Sequence, residues 1–302
     1  MVSIIVCTYN RDKYLKIALD SIINQKKHTL KYEVIIIDNN SPDNTKQVSE
    51  DFINNHPEVD IRYVVEYNQG IAYARSRGFT EAKYKYVAYS DDDAYYADDY
   101  FYQFQNLIAK YPNIEAFGGK VLLDYEANHP PIWETKYLSS ILGYFNKGDE
   151  EWYFKNDYAR GANMIFTKDL IQRVGAFNLD LGRTGGNLNG GEEKEIANKV
   201  YAHGVKVLYS PLLVVYHAVP VFRTKEDFVK RQAIGIGYSE RIIVKQKGII
   251  STVKRHFMEL VKWGGSIVLF FIYLFKMQPA KGKMIIKFRW WVSQGLFFGK
   301  LS

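Results

Sequence analysis

Three consecutive carboxylates, Asp91, Asp92 and Asp93, follow a short apolar run that is predicted to form a β-strand at residues 86–89. Adjacent carboxylates repel one another, so burying them together is costly unless a cation neutralises them. Oxygen ligands suit Mg²⁺ or Mn²⁺, and Mg²⁺ is usually held by one or two carboxylates together with substrate phosphates. A solvated acidic turn is the alternative, but the position at the carboxyl end of a strand favours a metal site.

Two further side chains could contact a nucleotide. Asp38 follows the apolar run of residues 34–37 and could accept a hydrogen bond from a ribose hydroxyl or a nucleobase N–H. It could equally serve as the acceptor of the turn that follows. Arg75 lies in a predicted helix bounded by two glycines, and an arginine can clamp a diphosphate with two parallel hydrogen bonds. Arg77, in the same helix, is more typical of a solvated face.

A second acidic pair, Glu192 and Glu193, follows two glycines at the start of another predicted helix. A carboxylate there could act as a general base on a hydroxyl, or it could simply favour the helix dipole. His217 ends an apolar strand-like run. It could bind a metal or a phosphate, or it could be a histidine at the edge of the core.

The first 120 residues alternate between the two periodicities of an α/β protein. Residues 2–7 and 32–37 are apolar runs typical of strands buried on both faces, and residues 15–23 carry a helical apolar stripe. The continued alternation predicts a parallel sheet with helices on both faces. Ligands of such sheets bind beyond the carboxyl ends of the strands. Those ends carry residues 8–11, 38–40 and 90–93.

The rest of the chain divides into three parts. Residues 120–160 show little periodicity and are predicted to form a long loop region with short strands at most. Residues 161–223 are predicted to contain strands and two helices. From residue 224 onward the pattern is helical, so a domain boundary is expected at 223/224. Aromatic residues in and near the middle part suit either the apolar face of a sugar or packing under the loop: Trp133, Trp152, Tyr153 and Tyr158.

Charge is distributed unevenly over the 302 residues. Residues 241–302 contain twelve Lys and Arg but one acidic residue, Glu259, a net charge of +11, which leaves −4 of the total +7 for residues 1–240. The basic segment matches no nucleic-acid-binding module, so no nucleic-acid partner is expected. Such asymmetry suggests a membrane or polyanion surface. The single cysteine excludes a disulfide framework and any multi-cysteine metal site.

Seven segments in order resemble the motifs of family 2 glycosyltransferases with the GT-A fold. They span residues 2–223 and read VSIIVCTYNR, VIIIDNNSPDNT, NQGIAYARSRG, YVAYSDDDA, RGANMIFTKDLIQRVGAFNLDLGR, GGEEKEIANKV and VLYSPLLVVYHAVPVFR. The resemblance implies an α/β, Rossmann-like, mainly parallel central sheet with flanking helices. It also implies a nucleotide-diphosphate sugar donor, Mg²⁺ or Mn²⁺, a glycan or lipid-linked acceptor, inversion at the anomeric carbon, and a role in cell-surface polysaccharide biosynthesis. Residues 1–119 would bind the donor, and residues 120–223 would supply the acceptor side and the base.

The resemblance also implies a role for each candidate residue. The donor would be bound by Thr8, Tyr9, Arg11, Asp38, Asn40, Arg75, Asp91 and Asp92. The metal would be bound by Asp93, Asp91 and His217. Glu193 stands where the family usually has an aspartate as catalytic base, and Glu192 beside it is the competing candidate. A second departure is Ser76, where many members have asparagine.

Residues 224–302 lie outside these motifs and are predicted to form a basic, amphipathic helical region. Apolar stretches with Lys, Arg and Trp are typical of helices that lie in a membrane interface, and a helical cap with a solvated basic face is the alternative. The longest uncharged run, residues 263–275, is shorter than the ~20 residues that a membrane span needs. The N-terminal segment lacks signal-peptide features. We therefore expect a cytoplasmic enzyme, peripheral on the inner face of the membrane.

Two other functions compete with glycosyl transfer. A nucleotidyltransferase on a similar sheet would need a glycine-rich phosphate loop after the first strand, and residues 8–11 contain no glycine. A non-catalytic nucleotide-sugar-binding scaffold would rely on the basic C-terminal region. The carboxylates Asp91, Asp93 and Glu193 favour the enzyme over the scaffold.

Overall fold

The computed structural model describes residues 1–155, 157–185 and 190–299. Its strands are β1 (Val2–Thr8), β2 (Tyr32–Asp38), β3 (Ile61–Val65), β4 (Tyr86–Asp91), β5 (Ala94–Tyr96), β6 (Ala116–Tyr125), β7 (Trp152–Tyr153), β8 (Met164–Thr167) and β9 (Val207–Val219). Its helices are α1 (Asp12–Ile23), α2 (Thr45–Asn55), α3 (Ile71–Glu81), α4 (Tyr100–Lys110), α5 (Lys168–Val174), α6 (Glu192–Ala202), α7 (Glu226–Gln246), α8 (Ile249–Phe275) and α9 (Pro279–Phe298).

The described strands form one sheet in the order β3-β2-β1-β4-β8-β6-β9-β5, with β7 paired to β9. The half from β3 to β4 is parallel, which confirms the α/β prediction for the first 120 residues. Beyond β4 the sheet is mixed, because β8 runs antiparallel to both β4 and β6. Antiparallel neighbours need no helical crossover, so the alternation that revealed the first half is missing from the second.

Two apolar layers cover the two faces of this sheet. Ile4 on β1 belongs to the layer that also contains side chains of α1, α2 and α4. Its neighbour Ile5 belongs to the other layer, with side chains of α3, α5 and α6. Successive residues of a strand point to opposite faces, so a continuous apolar run is what a strand covered on both faces requires.

The parallel strands end in register at one edge of the sheet. Thr8 on β1 is paired with Asp38 on β2, and Cys7 is paired with Asp91 on β4. The loops after β1 and β2 pass through Asn10 and Asn40, which adopt left-handed backbone conformations with φ of 54° and 59°. Asparagine tolerates this region better than most residues. The predicted site residues at these strand ends are thereby placed at the same edge.

The middle of the chain contains more strand than the sequence indicated. β6 has ten residues and lies partly within the predicted loop region. β9 is one strand of thirteen residues, although Ser210 and Pro211 interrupt its apolar run. The three-residue strand β5 pairs antiparallel with β9. Short or interrupted runs of this kind carry little periodic signal, which explains why the sequence did not reveal them.

The described residues form two compact units. One contains the sheet and consists of Met1–Asp124, Gly143–Asp180 and Glu192–Ala218. The other consists of the described residues in Tyr125–Leu142, Leu181–Gly191 and Val219–Ser302, and it includes α7, α8 and α9. It therefore takes in two segments that precede residue 223, and the boundary at 223/224 stays a prediction.

Within the helical unit, α8 is the described helix that is long and apolar enough to cross a membrane, by length and composition. It has 27 residues, its apolar window has a mean hydropathy of 1.5, and 11% of that window is buried. The uncharged run of residues 263–275 is its second half. The helix continues through Lys262 back to Ile249, so the run alone underestimated its length.

Candidate active site

Asp93 and His217 face each other beyond the end of β4. Nε2 of His217 is 3.2 Å from Oδ1 of Asp93, and both side chains are buried. The pairing of Ala94 with His217 in the β5–β9 ladder fixes this approach. The Arg11 guanidinium forms an ion pair with the other carboxylate oxygen of Asp93. Two predicted metal ligands and one predicted donor-binding residue are thus brought together.

Asp92 lies beside this group and points toward the loop after β1. The backbone N–H of Tyr9 donates to its Oδ2 at 3.3 Å, and Nη1 of Arg11 lies 3.7 Å from its Oδ1. Burial raises the pKa of Asp92, while the positive charge of Arg11 opposes the rise. Tyr9 itself is partly exposed. The three residues link the first loop to the acidic turn.

The carboxylate of Asp93 and the imidazole of His217 are suitable ligands for a divalent metal ion. The described part of the chain contains no group of three or more His, Cys, Asp or Glu side chains arranged to hold a metal. Nε2 of His217 and Oδ1 of Asp93, which are in direct contact at 3.2 Å, are nevertheless atoms of the kinds that bind divalent metal ions. Mg²⁺ typically completes such a site with water and substrate phosphates. The two residues therefore suit an ion that binds together with a diphosphate.

Arg75 is buried at the centre of a cluster of carboxylates. Its Nη1 donates to Oε1 of Glu192 at 2.8 Å. Its Nη2 lies 3.3 Å from both Oδ1 of Asp91 and Oε1 of Glu193. The sequence suggested a diphosphate clamp, but this guanidinium is engaged by protein carboxylates on α6 and β4. Its contact with the donor stays a prediction, as does metal binding by Asp91.

Glu192 and Glu193 open α6 but differ in their surroundings. Glu192 is buried and takes the shorter hydrogen bond from Arg75. The side chain of Glu193 is 23% exposed, so a ligand can reach it. Burial raises the pKa of the Glu193 carboxyl, Arg75 opposes the rise, and the negative charge of Glu192 adds to it. A carboxylate with a raised pKa is a better proton acceptor near neutral pH.

Asp38 is held by hydrogen bonds from its own loop and from the neighbouring strand. Its Oδ1 accepts from the backbone N–H of Ser41 at 2.9 Å, as in the turn suggested by the sequence. Its Oδ2 accepts from the Tyr63 hydroxyl on β3 at 2.5 Å. Thr8 is buried beside it, and Asn40 is exposed in the following loop. The sequence had not indicated Tyr63, because an aromatic residue in a strand is an ordinary core residue.

Gly161 is a second residue that the sequence did not single out. It begins a short 3-10 helix, Gly161–Asn163. A Cβ at this position would overlap Nη2 of Arg75 and Oε1 of Glu193. Only glycine therefore leaves room for these two groups to meet. Its place within the segment RGANMIF was the available signal.

The aromatic residues of the middle part divide by environment. Trp133 is buried in the helical unit, where its Nε1 donates to the carbonyl oxygen of Thr224 at 2.9 Å. Trp152 packs on the rings of Phe154 and Tyr209. Both therefore pack within the protein. Tyr158 instead lies within the electrostatic field of Glu193, and burial raises its pKa to about 12.

Comparisons with known proteins relate the chain to glycosyltransferases. The model of the family "Glycosyl transferase family 2" matches residues 3–175. The glucosyl-dolichyl phosphate glucuronosyltransferase of Haloferax volcanii is 26% identical over 80% of this chain and 77% of its own length. The poly-beta-1,6-N-acetyl-D-glucosamine synthase of Staphylococcus epidermidis is 26% identical over 72% of this chain. The chain spans 50% of the length of that synthase.

Solved structures share the fold at low sequence identity. A mannosyltransferase from Pyrobaculum calidifontis, in complex with GDP-Man and Mn²⁺, matches with a TM-score of 0.65 and 17% identity, over 99% of this chain and 88% of that one. GalNAc-T7 with UDP, GalNAc and Mn²⁺ matches with a TM-score of 0.55 and 15% identity, over 79% and 48%. The GT-A fold is thus confirmed. Since the family model covers more than half of the sequence, the chain belongs to the family 2 glycosyltransferases and is a glycosyltransferase.

Proposed function

We propose that this protein transfers a sugar from a nucleotide-diphosphate donor to a hydroxyl of a glycan or lipid-linked acceptor, with inversion and with Mg²⁺ or Mn²⁺. The observation that carries the proposal is the Arg75 cluster, which joins the accessible carboxylate of Glu193 to Asp91 at the end of β4. The proposed base and the proposed donor-binding strand end are thereby joined through the buried side chain of Arg75. The names of two relatives, a glucosyl-dolichyl phosphate glucuronosyltransferase and a poly-beta-1,6-N-acetyl-D-glucosamine synthase, support an acceptor that is lipid-linked or a glycan. A role in cell-surface polysaccharide biosynthesis is part of the proposal.

The donor would bind across the carboxyl ends of β1, β2 and β4. Asp38 has its carboxylate fixed by Ser41 and Tyr63 and would accept from the base or ribose. Arg11 would contact the diphosphate, because the diphosphate would bind beside Asp92 and Asp93 and Arg11 contacts both of these residues. The remaining donor contacts would come from residues around these ends: Thr8, Tyr9, Asn40, Arg75, Asp91 and Asp92.

Asp93 and His217 would hold the metal. A bound divalent ion supplies positive charge that stabilises the leaving diphosphate. The two solved neighbours with Mn²⁺ support this assignment by fold. Both side chains are buried, so they would present their ligand atoms in fixed positions.

Glu193 would act as the catalytic base. The acceptor oxygen forms its bond to the anomeric carbon while the bond from that carbon to the diphosphate oxygen breaks, and Glu193 takes the hydroxyl proton. A single displacement of this kind inverts the anomeric centre and needs no covalent nucleophile. Glu192 is the less suitable base, because it is buried and bound to Arg75 at the shorter distance.

The helical unit would associate with an anionic membrane surface. The exposed side chains of α8 include many large apolar residues, and Lys254 and Lys262 lie among them. Apolar contact together with lysines favours interfaces with anionic lipids. This would place the enzyme on the cytoplasmic face of the membrane, near a lipid-linked acceptor. The length of α8 makes a membrane span the competing arrangement.

Two carboxylate variants test the proposed reaction. Release of nucleoside diphosphate and transfer of sugar are measured over a panel of nucleotide-sugars and acceptors. Glu193→Gln should bind donor normally but lose transfer by roughly 10²–10⁴-fold, the usual contribution of a general base. Asp93→Ala should lose the metal-dependent reaction. If only Glu192→Gln removed transfer, the base would be Glu192; full wild-type turnover in both Glu193→Gln and Asp93→Ala would contradict the proposed mechanism.

A further inference from the structure

The segment of residues 157–161 reaches the proposed base, Glu193, at Gly161. The backbone of Gly161 approaches Oε1 of Glu193 so closely that no Cβ fits between them. Burial is the main cause of the raised pKa of Glu193, and Arg160 is one of the two cations that oppose it. The cation that acts on Asp92 is instead Arg11. Because Arg160 also directly precedes the glycine that touches Glu193, it belongs to the surroundings of the base.

The guanidinium of Arg160 is held between two aromatic rings. Its Cζ lies 4.3 Å from the ring centroids of both Phe145 and Tyr158. Nη1 donates to the carbonyl oxygen of Tyr158 at 2.9 Å and to Oδ1 of Asp157 at 3.3 Å. Among the residues that the structure describes, Arg160 forms hydrogen bonds through Nη1 only. Its N–H groups on Nε and Nη2 can therefore bind a ligand. A stacked, anchored guanidinium is well suited to bind an oxyanion.

The carboxylates near the base would repel an acceptor that carries a negative charge. Asp91, Glu192 and Glu193 surround Arg75, so the cluster has an excess of negative charge. An anionic acceptor would be repelled from it unless a cation faced the acceptor's own charge. A neutral acceptor would need no such cation. Arg160 directly precedes Gly161, the residue that touches Glu193, and its side chain is 22% exposed.

A lysine adds to the positive charge and orients the arginine. Nζ of Lys147 lies 2.6 Å from Oδ2 of Asp157, whose other oxygen accepts from Arg160. The three charged groups sum to one positive charge. Lys147 also lies 5.4 Å from the centroid of the Phe145 ring. Asp157 and Phe145 are thus shared supports that fix the two cations relative to each other.

We propose that Arg160 binds an oxyanion carried by the acceptor, a phosphate or a carboxylate, located within about one sugar of the hydroxyl that attacks. Asp157, Phe145 and Tyr158 position the guanidinium. The inference rests on the proposed glycosyl transfer and adds the acceptor's class to it. The anion has two sources with the same chemistry, a lipid-linked phosphate or a uronic acid in a glycan.

Binding of matched probes to the full-length chain tests the proposal. Farnesyl phosphate and methyl β-D-glucuronide are the anionic probes, and methyl β-D-glucoside is the neutral one, each titrated calorimetrically. Arg160→Gln should weaken the binding of at least one anionic probe roughly ten-fold or more, the usual loss for a charge-assisted hydrogen bond. Arg160→Lys should restore part of it. Arg173→Gln, at an exposed arginine paired with Glu115, is the matched control and should bind like the wild type.

The pattern over the probes decides the outcome. Loss confined to farnesyl phosphate identifies a lipid phosphate, and loss confined to the glucuronide identifies a uronic acid. Three results would overturn the proposal: equal affinity of the anionic probes for Arg160→Gln and for the wild type, an equal loss of affinity for the neutral glucoside, or no binding of either anion to the wild type. A loss of anion binding in Arg11→Gln but not in Arg160→Gln would overturn it as well. Sugar transfer by the wild type, measured separately, distinguishes the two proposals: if transfer occurs but binding of neither anionic probe depends on Arg160, the proposed function stands and the acceptor inference fails.

Discussion

The side chains of this site are held by partners that lie far away in the chain. Asp93 and His217 were paired as metal ligands from the residues and their resemblance to a family, and they do lie together, 3.2 Å apart. Arg75 was recognised, but its three carboxylate partners were not, because Glu192 and Glu193 lie more than one hundred residues away in the chain. A partner on a distant element leaves no local pattern. Such contacts are visible only in the folded structure.

Gly161 gives the sharpest test at the scale of one residue. In Gly161→Ala the new Cβ would overlap Arg75 and Glu193, so these flexible side chains must move apart. We expect transfer to fall roughly ten-fold or more, since a base displaced by about 1 Å loses much of its effect. Overpacking should lower the free energy of unfolding by ~1–3 kcal/mol. Steady-state kinetics and thermal unfolding measure both effects.

The matched control for this change is Gly264→Ala. A Cβ at Gly264 meets no atom within 4 Å. This variant lies in a helix, where alanine is favoured over glycine. It should retain full transfer and equal or greater stability. Wild-type turnover in Gly161→Ala would show that the contact between Arg75 and Glu193 is not needed.

Tyr63 should affect donor binding through Asp38. In Tyr63→Phe the carboxylate loses the 2.5 Å hydrogen bond that holds its Oδ2, while the bond from Ser41 to Oδ1 remains. We expect the donor KM to rise several-fold with little change in kcat, because one hydrogen bond to a charged group contributes ~1.5–3 kcal/mol at most. Tyr111→Phe removes a comparable hydrogen bond to Glu151 and should leave the donor KM unchanged. Equal kinetics in the two variants would contradict a positioning role for Tyr63.

At the scale of elements, the sequence predicted the parallel half of the sheet better than the mixed half. β1, β2 and β4 are predominantly apolar, because helices cover both faces of the sheet. β5 and β7 have three and two residues, too few for any periodicity, and their place is set by pairing with β9. The helices α8 and α9 were visible as apolar stretches. Which of their faces is left uncovered required the structure.

The exposed face of α8 should carry membrane association. Phe257 and Phe271 are 64% and 50% exposed and lie fourteen residues apart, about four helical turns, on one side of the helix. Changing both to Asp would place charges where the helix is proposed to meet lipid, so binding to anionic vesicles should be lost. Leu212→Asp, at a comparably exposed leucine on β9, is the control. Vesicle co-sedimentation measures the difference. Unchanged binding of the double variant would exclude this face.

At the scale of the whole molecule, charge separates the chemistry from the surface contact. The segment of residues 241–302 carries +11 and the preceding 240 residues carry −4. The total of +7 conceals this division. An anionic surface should therefore attract the C-terminal segment and mildly repel the rest of the chain. The same net charge spread evenly would give no such contrast.

Salt should reveal the division in charge. The Debye length falls from about 10 Å at 0.1 M to about 3 Å at 1 M, so screening weakens the attraction of lysines to anionic lipid, which is worth ~1 kcal/mol per residue near the surface. Binding to anionic vesicles should fall roughly ten-fold or more between 0.1 and 0.5 M NaCl. The apolar face of α8 should leave a weaker, salt-independent binding, which neutral vesicles would show by themselves. A protein that spanned the bilayer through α8 would instead remain with the vesicles at every salt concentration, so the salt titration separates interfacial binding from a membrane span.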